Sequence, residues 1–400
     1  MLINRNIYTE KIFGYVNTPI IKVLTGMRRA GKSSLLKLLI GELKSKHTES
    51  KNIVYINMEK LEFDFIDTYI DLNSYIQEKS HNCTGTVYIL IDEIQEIINW
   101  EKCITSLFAE GNYDIYLTGS NAHLLSSELA TLLSGRYVEI PIYTLTFREF
   151  LTFRGEKKGN TEDEFQLFLK YGGLPVLHSF KFDDELIYNY ISDVLNTIIL
   201  KDLVERHNIR NVTLLRNILK FAFDNIGNIF SAKKVADYLK SQHIKIGVET
   251  VHNYLSYFCE AFILHKVPRY EIKGKKFLES NEKYFLNDIG LHYAALGLNQ
   301  NNIAGILENI IYLELKSRGY SVCIGKNRDK EIDFIAEKYN KKIYIQVTYL
   351  LASQSTIDRE YSVLEKIKDH HKKIVLSLDK YFKLERSGIE YQNIINFLTE

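Results

Sequence analysis

Cysteine is scarce in this sequence. Cys83, Cys103, Cys259 and Cys323 are the only four in 400 residues, and no two stand at C-x₂₋₄-C spacing. Neither a structural zinc site nor a disulfide framework is expected from such a set. Four prolines are too few for a proline-rich linker. No run of about 18 apolar residues is present, so no membrane span is expected. The N-terminal stretch MLINRNIYTEKIF has no basic segment leading into an apolar core, unlike a secretory signal. With uncrosslinked cysteines, these absences point to a cytoplasmic protein. An excess of one charge is missing too: 51 Lys and Arg stand against 50 Asp and Glu, leaving +1. That rules out a global polycation but not a local basic face. No H-E-x-x-H spacing occurs, and the adjacent His370 and His371 read as a surface pair.

What the chain does have is apolar substance. Hydrophobic residues make up 46% of the sequence, enough for real cores, and the length suggests about two to three domains. The first 150 residues alternate short β-branched runs with helical periodicity. IIKVL, NIVYINME, TVYILIDEIQEI, YDIYLTGSN and RYVEIPI read as strands, with helices between them, one of them around 122–134. This order predicts an α/β fold with a parallel sheet covered on both faces. Residues 161–223 read as almost wholly helical, broken by YGGLP at 171–175. SAKKVADYLKSQ, a turn, VETVHNYLSYFCEAF and two strand-like runs then give helix, turn, helix, hairpin, the order of a winged helix. A last αβ segment follows from residue 307. The expected domains are 1–175, 176–300 and 301–400.

The strongest chemical signal is Gly26-Met27-Arg28-Arg29-Ala30-Gly31-Lys32-Ser33, which fits G-x-x-x-x-G-K-[ST] between a strand and a helix that continues with Ser34. The glycines let main-chain N–H groups turn inward around phosphate oxygens, and the helix adds its N-terminal dipole. Lys32 would meet the β- and γ-phosphates of ATP, and the Ser33 hydroxyl would ligate Mg²⁺. Arg28 and Arg29 would touch nucleotide or a partner, or lie in solvent. A second signal is the apolar strand Val87–Ile91 ending in Asp92 and Glu93. Two carboxylates at the end of a buried strand need a charge partner. Asp92 would hold the metal shell and Glu93 would polarise the attacking water. After the strand in YLTGSN, Ser120 and Asn121 are candidates to lie near the γ-phosphate, with Thr118 behind them. Arg136, in Ser134-Gly135-Arg136-Tyr137, would either reach the γ-phosphate of a neighbouring subunit or sit at the surface, free or paired with Glu139 or Glu149.

These elements, with PIYTLTFREFL and YGGLP, resemble the bacterial and archaeal AAA-type P-loop ATPases that carry a C-terminal domain of unknown function (DUF4143-like). The resemblance implies an AAA+-like core, a winged helix, a C-terminal nuclease-like domain and ATP hydrolysis, and names no substrate. On the PD-(D/E)xK nuclease pattern, Glu308 and Asp333 supply two acids, whereas Gln346 carries no charge and Thr348 cannot supply an ammonium. The site therefore reads as degenerate, with weak or absent cleavage.

Between Asn211 and Gln300 basic residues outnumber acidic ones by twelve to eight, and Lys273, Lys275 and Lys276 cluster on the expected hairpin. A basic wing suits DNA phosphates. Protein docking is the competing reading, since the second helix offers only Glu249, His252, Asn253 and Ser256 as base readers. Three functions follow: an ATP-driven motor or switch, a DNA-binding regulator tuned by ATP, or a metal-dependent nuclease. Homo-oligomerisation is open.

Overall fold

The computed structural model describes residues 2–122, 133, 135–297, 302–327, 330–382, 384 and 386–400, without the side chains of 279–281. The chain divides into two compact units, Met1–Tyr143 and Thr144–Glu400. Among the described residues no helix is long and apolar enough to cross a membrane.

The first unit is built on a parallel sheet. Its strands are β1 (Ile21–Thr25), β2 (Ile53–Asn57), β3 (Val87–Asp92), β4 (Tyr113–Gly119) and β5 (Tyr137–Pro141), in the order β2-β3-β4-β1-β5. Helices α1 (Asn6–Phe13), α2 (Lys32–Ser45), α3 (Tyr69–Ser80) and α4 (Trp100–Glu110) accompany them. Strands β1, β3 and β4 are apolar runs buried on both faces, as a covered parallel sheet requires. Alternation sorts their side chains into two cores. Val23, Ile56, Ile89, Ile91 and Leu117 pack on one side, and Leu24, Tyr88, Leu90 and Tyr116 on the other. Strand β4 lies between β1 and β3, so the ends of these three strands meet along one edge. Ligands of open α/β sheets bind at that edge, where the strand order switches direction. The expected helix around 122–134 falls mostly outside the described residues.

The second unit begins earlier than residue 175. Its first helices are α5 (Phe147–Arg154) and α6 (Thr161–Tyr171). Phe147 and Phe150 pack against Phe165, Phe168, His178 and Phe182, so this aromatic face is core of the second unit. One sheet runs across the expected edge at residue 300. The hairpin β6 (Leu264–Glu271) and β7 (Lys276–Leu286) joins β8 (Ser321–Asn327), β9 (Lys330–Lys338), β10 (Lys341–Val347), β11 (Lys372–Ser377) and β12 (Glu390–Asn393) in one sheet. Parallel pairing of Arg269–Glu271 with Ile324–Lys326 makes the join. Helices α7 (Asp184–Thr197), α8 (Val212–Asp224), α9 (Ala232–Ser241) and α10 (Val248–Glu260) precede the hairpin, and α11 (Ile289–Leu296) and α12 (Ile303–Ser317) follow it. The helix, helix, hairpin order agrees with the sequence reading.

The YGGLP turn has a steric cause. Gly172 has φ +76°, and a Cβ there would lie 2.0 Å from Oδ1 of Asp288. That buried carboxylate accepts hydrogen bonds from the N–H of Gly173 and of Gly290, each at 2.8 Å. Burial raises the Asp288 carboxyl to about 6 despite these donors. Gly172→Ala is expected to lower stability by about 2–4 kcal/mol, through strain at the positive φ and displacement of Asp288. Urea unfolding of the variant against the wild type measures this; equal midpoints would refute it.

Candidate functional site at the strand ends of the first unit

Strand β1 delivers the chain into a tight loop. Gly26 has φ +146°, and a Cβ there would come 2.2 Å from the carbonyl oxygen of Ile142, so only glycine fits. Arg29 (φ 67°) and Gly31 (φ 103°) are also left-handed and turn the chain into α2. Met27 and Ala30 are buried and anchor the loop, while Arg29 is exposed. Half-buried Ser33 and exposed Ser34 lie in the first turn of α2, which contains no acidic residue to oppose an anion.

Lys32 is buried. Its Nζ donates to the carbonyls of Gly26 (2.8 Å) and Met27 (3.1 Å) and stands 3.7 Å from Oε1 of Glu93. Arg28 faces Glu59 at 3.5 Å, which places it at the loop's flank.

The two acids of β3 are held differently. Asp92 accepts a hydrogen bond from the Thr118 hydroxyl at 2.6 Å and a longer one from Tyr55 at 3.3 Å. Burial beside Asp92 raises the Tyr55 hydroxyl and keeps it a donor. Glu93 takes a left-handed conformation, φ 58°, strained for a residue with a side chain. Its N–H donates to the same Thr118 hydroxyl at 2.9 Å. Thr118, a secondary candidate from the sequence, thus ties both acids to β4. Burial by itself would raise the Glu93 carboxyl. The Lys32 charge, hydrogen bonds from Gln95 and Ser120, and the Arg28 charge outweigh it and hold the group below its ordinary range. Glu93 is therefore held as a carboxylate.

Ser120 and Asn121 are fully buried just past β4. Arg136 is elsewhere. Its carbonyl accepts from the N–H of Ile21, at the start of β1, and its guanidinium stands 5.6 Å from the Phe108 ring centre. Gly26 follows the other end of β1, so the sheet separates the two by about 16 Å along the strand. The fold does not bring Arg136 to its own chain's loop. Ser134 lies outside the described residues.

Two site residues escaped the sequence reading. Arg5 is buried and donates to the carbonyls of Ala30 (2.8 Å) and Tyr143 (3.0 Å), pinning the loop from the N-terminus. Gln95 donates to Glu93. The first has no local signal, and the second stands in plain view in DEIQ.

In the second unit, Glu308, Asp333 and Gln346 do converge, around a cation that the pattern did not supply. Lys283 of β7 is buried, 2.9 Å from Oε2 of Glu308 and 2.7 Å from Oε1 of Glu331. Gln346 accepts from the N–H of Asp333 and donates to Glu360. Burial, then the mutual repulsion of the acids, raises the Asp333 carboxyl well above its usual range; burial raises Glu308 as well. The neighbouring carboxylates more than offset the burial of Lys283 and keep it charged. Thr348 is buried and its N–H bonds to the Leu376 carbonyl. The ammonium thus comes from the hairpin rather than from the residue two beyond Gln346. Among the described residues no three His, Cys, Asp or Glu side chains are arranged to hold a metal ion.

The hairpin uses part of its charge internally. Lys266 pairs with Glu282 at 2.8 Å, and Arg269 approaches Glu331 at 4.0 Å. Lys273, Lys275 and Lys276 remain exposed at the tip beside Phe277, which is 62% exposed. Glu249, His252, Asn253 and Ser256 are exposed along α10.

Two stretches of the chain match different families. Residues 18–151 match a family described as an AAA domain, and residues 162–302 match a domain of unknown function, DUF8612. The second match replaces the DUF4143-like designation that the resemblance implied. An uncharacterized protein of Haemophilus influenzae is 37% identical over the whole of this chain and 99% of its own length. The uncharacterized protein MJ1544 of Methanocaldococcus jannaschii is 35% identical over 87% of this chain and 79% of its own. Among solved structures, the Walker-type ATPase paby2304 of Pyrococcus abyssi superposes with a TM-score of 0.51 at 17% identity, over 73% of this chain and 95% of that one. That likeness is one of fold.

Proposed function

The chain belongs to one family with these uncharacterized relatives, its fold is that of the P-loop ATPases, and from that premise we propose that it binds and hydrolyses ATP with Mg²⁺ as a conformational switch or motor. The observation that carries the reading is Lys32 standing 3.7 Å from Glu93, with Thr118 tying Glu93 and Asp92 together behind the glycine loop. The donor set suits the ligands. A loop held in left-handed backbone at Gly26 and Gly31, leading into a first helical turn without acids, suits phosphate. The oxygens of Ser33 and Asp92 suit Mg²⁺, which when bound neutralises charge on the β- and γ-phosphates.

The chain's own groups then divide the work. Loop amides and the Lys32 ammonium orient the triphosphate. Thr118 fixes Asp92 and the backbone of Glu93. Ionised Glu93 takes a proton from the attacking water, and Ser120 and Asn121 line the γ-phosphate side. Arg136, remote from its own loop, would serve the site of a second copy, which favours a homo-oligomer. The test is calorimetry with Mg-ATP followed by phosphate release; no binding heat from folded protein would retire the proposal.

For a partner, exposed Lys273, Lys275 and Lys276 beside Phe277 support DNA contact through a winged helix formed by α9, α10 and the hairpin. Anisotropy titration of a duplex is expected to show affinity falling as salt rises, and a triple Lys273, Lys275, Lys276→Ala variant should bind more weakly. Absence of binding at about 50 mM salt would remove DNA as a partner. The cluster around Lys283 supports a structural role for the last 100 residues rather than cleavage. Its ammonium neutralises the acids, and Gln346 adds no charge.

A further inference from the structure

Gln95 has no role in the ATP-binding motif, yet it touches the group that matters most. It occupies the single helical turn Ile94–Glu96, directly after the left-handed Glu93. That backbone reversal returns the side chain two residues on to the Glu93 carboxylate. Gln95 Nε2 stands 2.5 Å from Oε2 of Glu93 and 3.5 Å from Oγ of Ser120. The amide can face only one way. Turned over, its carbonyl would oppose a carboxylate, so the NH₂ points to Glu93 and Oε1 points away. Oε1 is buried and has no hydrogen-bond partner among the described residues. A buried acceptor without a donor is costly, and in an enzyme site it marks where a ligand or water belongs.

We propose that Gln95 is a catalytic residue of ATP hydrolysis. Its Nε2 fixes the Glu93 carboxylate, and its Oε1 accepts a hydrogen bond from the attacking water. The inference rests on the ATPase reading above. Water has two O–H bonds, and the proposal gives each an acceptor, Glu93 and Gln95 Oε1. Engaging both leaves a lone pair for the γ-phosphorus. A bond then forms from the water oxygen to phosphorus, and the bond from phosphorus to the β,γ-bridging oxygen breaks. Its electron pair leaves with ADP, and one water proton passes to Glu93. Holding the water with two acceptors, rather than one, restricts its direction of attack.

Steady-state hydrolysis of Mg-ATP by the full chain tests this. Gln95→Met matches the size of glutamine without its polar atoms, and Gln95→Ala is a second variant should the first fold poorly. The expected result is a fall in kcat of about 10- to 100-fold, with KM and the Kd of a non-hydrolysable ATP analogue held within about threefold. In a Glu93→Gln background, adding Gln95→Met is expected to change the residual rate by less than about twofold, because both residues act on one water. Wild-type kcat in a folded variant would overturn the proposal. So would lost affinity with unchanged kcat, or a full additional loss in the Glu93→Gln background. A wild-type chain that turns over no ATP overturns the ATPase reading itself, an outcome distinct from an active wild type matched by active Gln95 variants.

Discussion

Lys32→Ala is expected to abolish binding of Mg-ATP, with affinity falling at least about 100-fold by calorimetry. The effect is large because Lys32 is the one lysine the loop directs inward, buried and 3.7 Å from Glu93. A truncated side chain leaves the triphosphate facing Asp92 and Glu93 without that ammonium. Repulsion then adds to the lost attraction. The carbonyls of Gly26 and Met27 also lose their donor, so the loop itself loosens. Lys32→Arg separates charge from shape: it keeps the charge, but its planar fork does not fit a point-charge site. A wild-type isotherm from Lys32→Ala would refute the nucleotide assignment, and the functional reading would fall with it.

Glu93→Gln is expected to do the opposite. Binding is retained, and turnover falls by about 10²–10⁴-fold in a phosphate-release assay. Glutamine keeps the size of the side chain and removes the proton acceptor. The backbone at this position is already strained at φ 58° and is secured by Thr118, so the substitution leaves the path of the chain unchanged. Loss of binding by this variant would mean that Glu93 is part of the nucleotide cradle rather than the base. Undiminished turnover would place the base elsewhere. The pair of variants separates holding the triphosphate from cleaving it.

The candidate site was legible to the degree that its parts are contiguous. Gly26–Ser33 specifies loop, glycine strain and helix start within eight residues, and in the structure Lys32 stands 3.7 Å from Glu93. Thr118 could be suspected only as a neighbour of Ser120, because its link to both acids depends on β4 lying beside β3. Gln95 stands two residues from Glu93, yet its contact depends on a left-handed step that no propensity assigns to glutamate. Arg5 and Lys283 reach partners 25 residues away, and no periodicity connects them. The start of the second unit at Thr144 was hidden for a similar reason. Phe147 and Phe150 look like any amphipathic helix in sequence, and only packing reveals which core receives them.

By itself, then, the order of residues determined the alternating strands and helices of the first unit, the phosphate-type loop and the acids that end β3. Each depends on side-chain spacing and backbone preference within a few consecutive residues. Folding decided the rest: the order β2-β3-β4-β1-β5, the separation of Arg136 from the loop, the fusion of the hairpin into the second sheet, and the cation among its acids. Those outcomes are set by which distant surfaces exclude water together and which buried charges find a partner, and such choices are made by the whole chain at once.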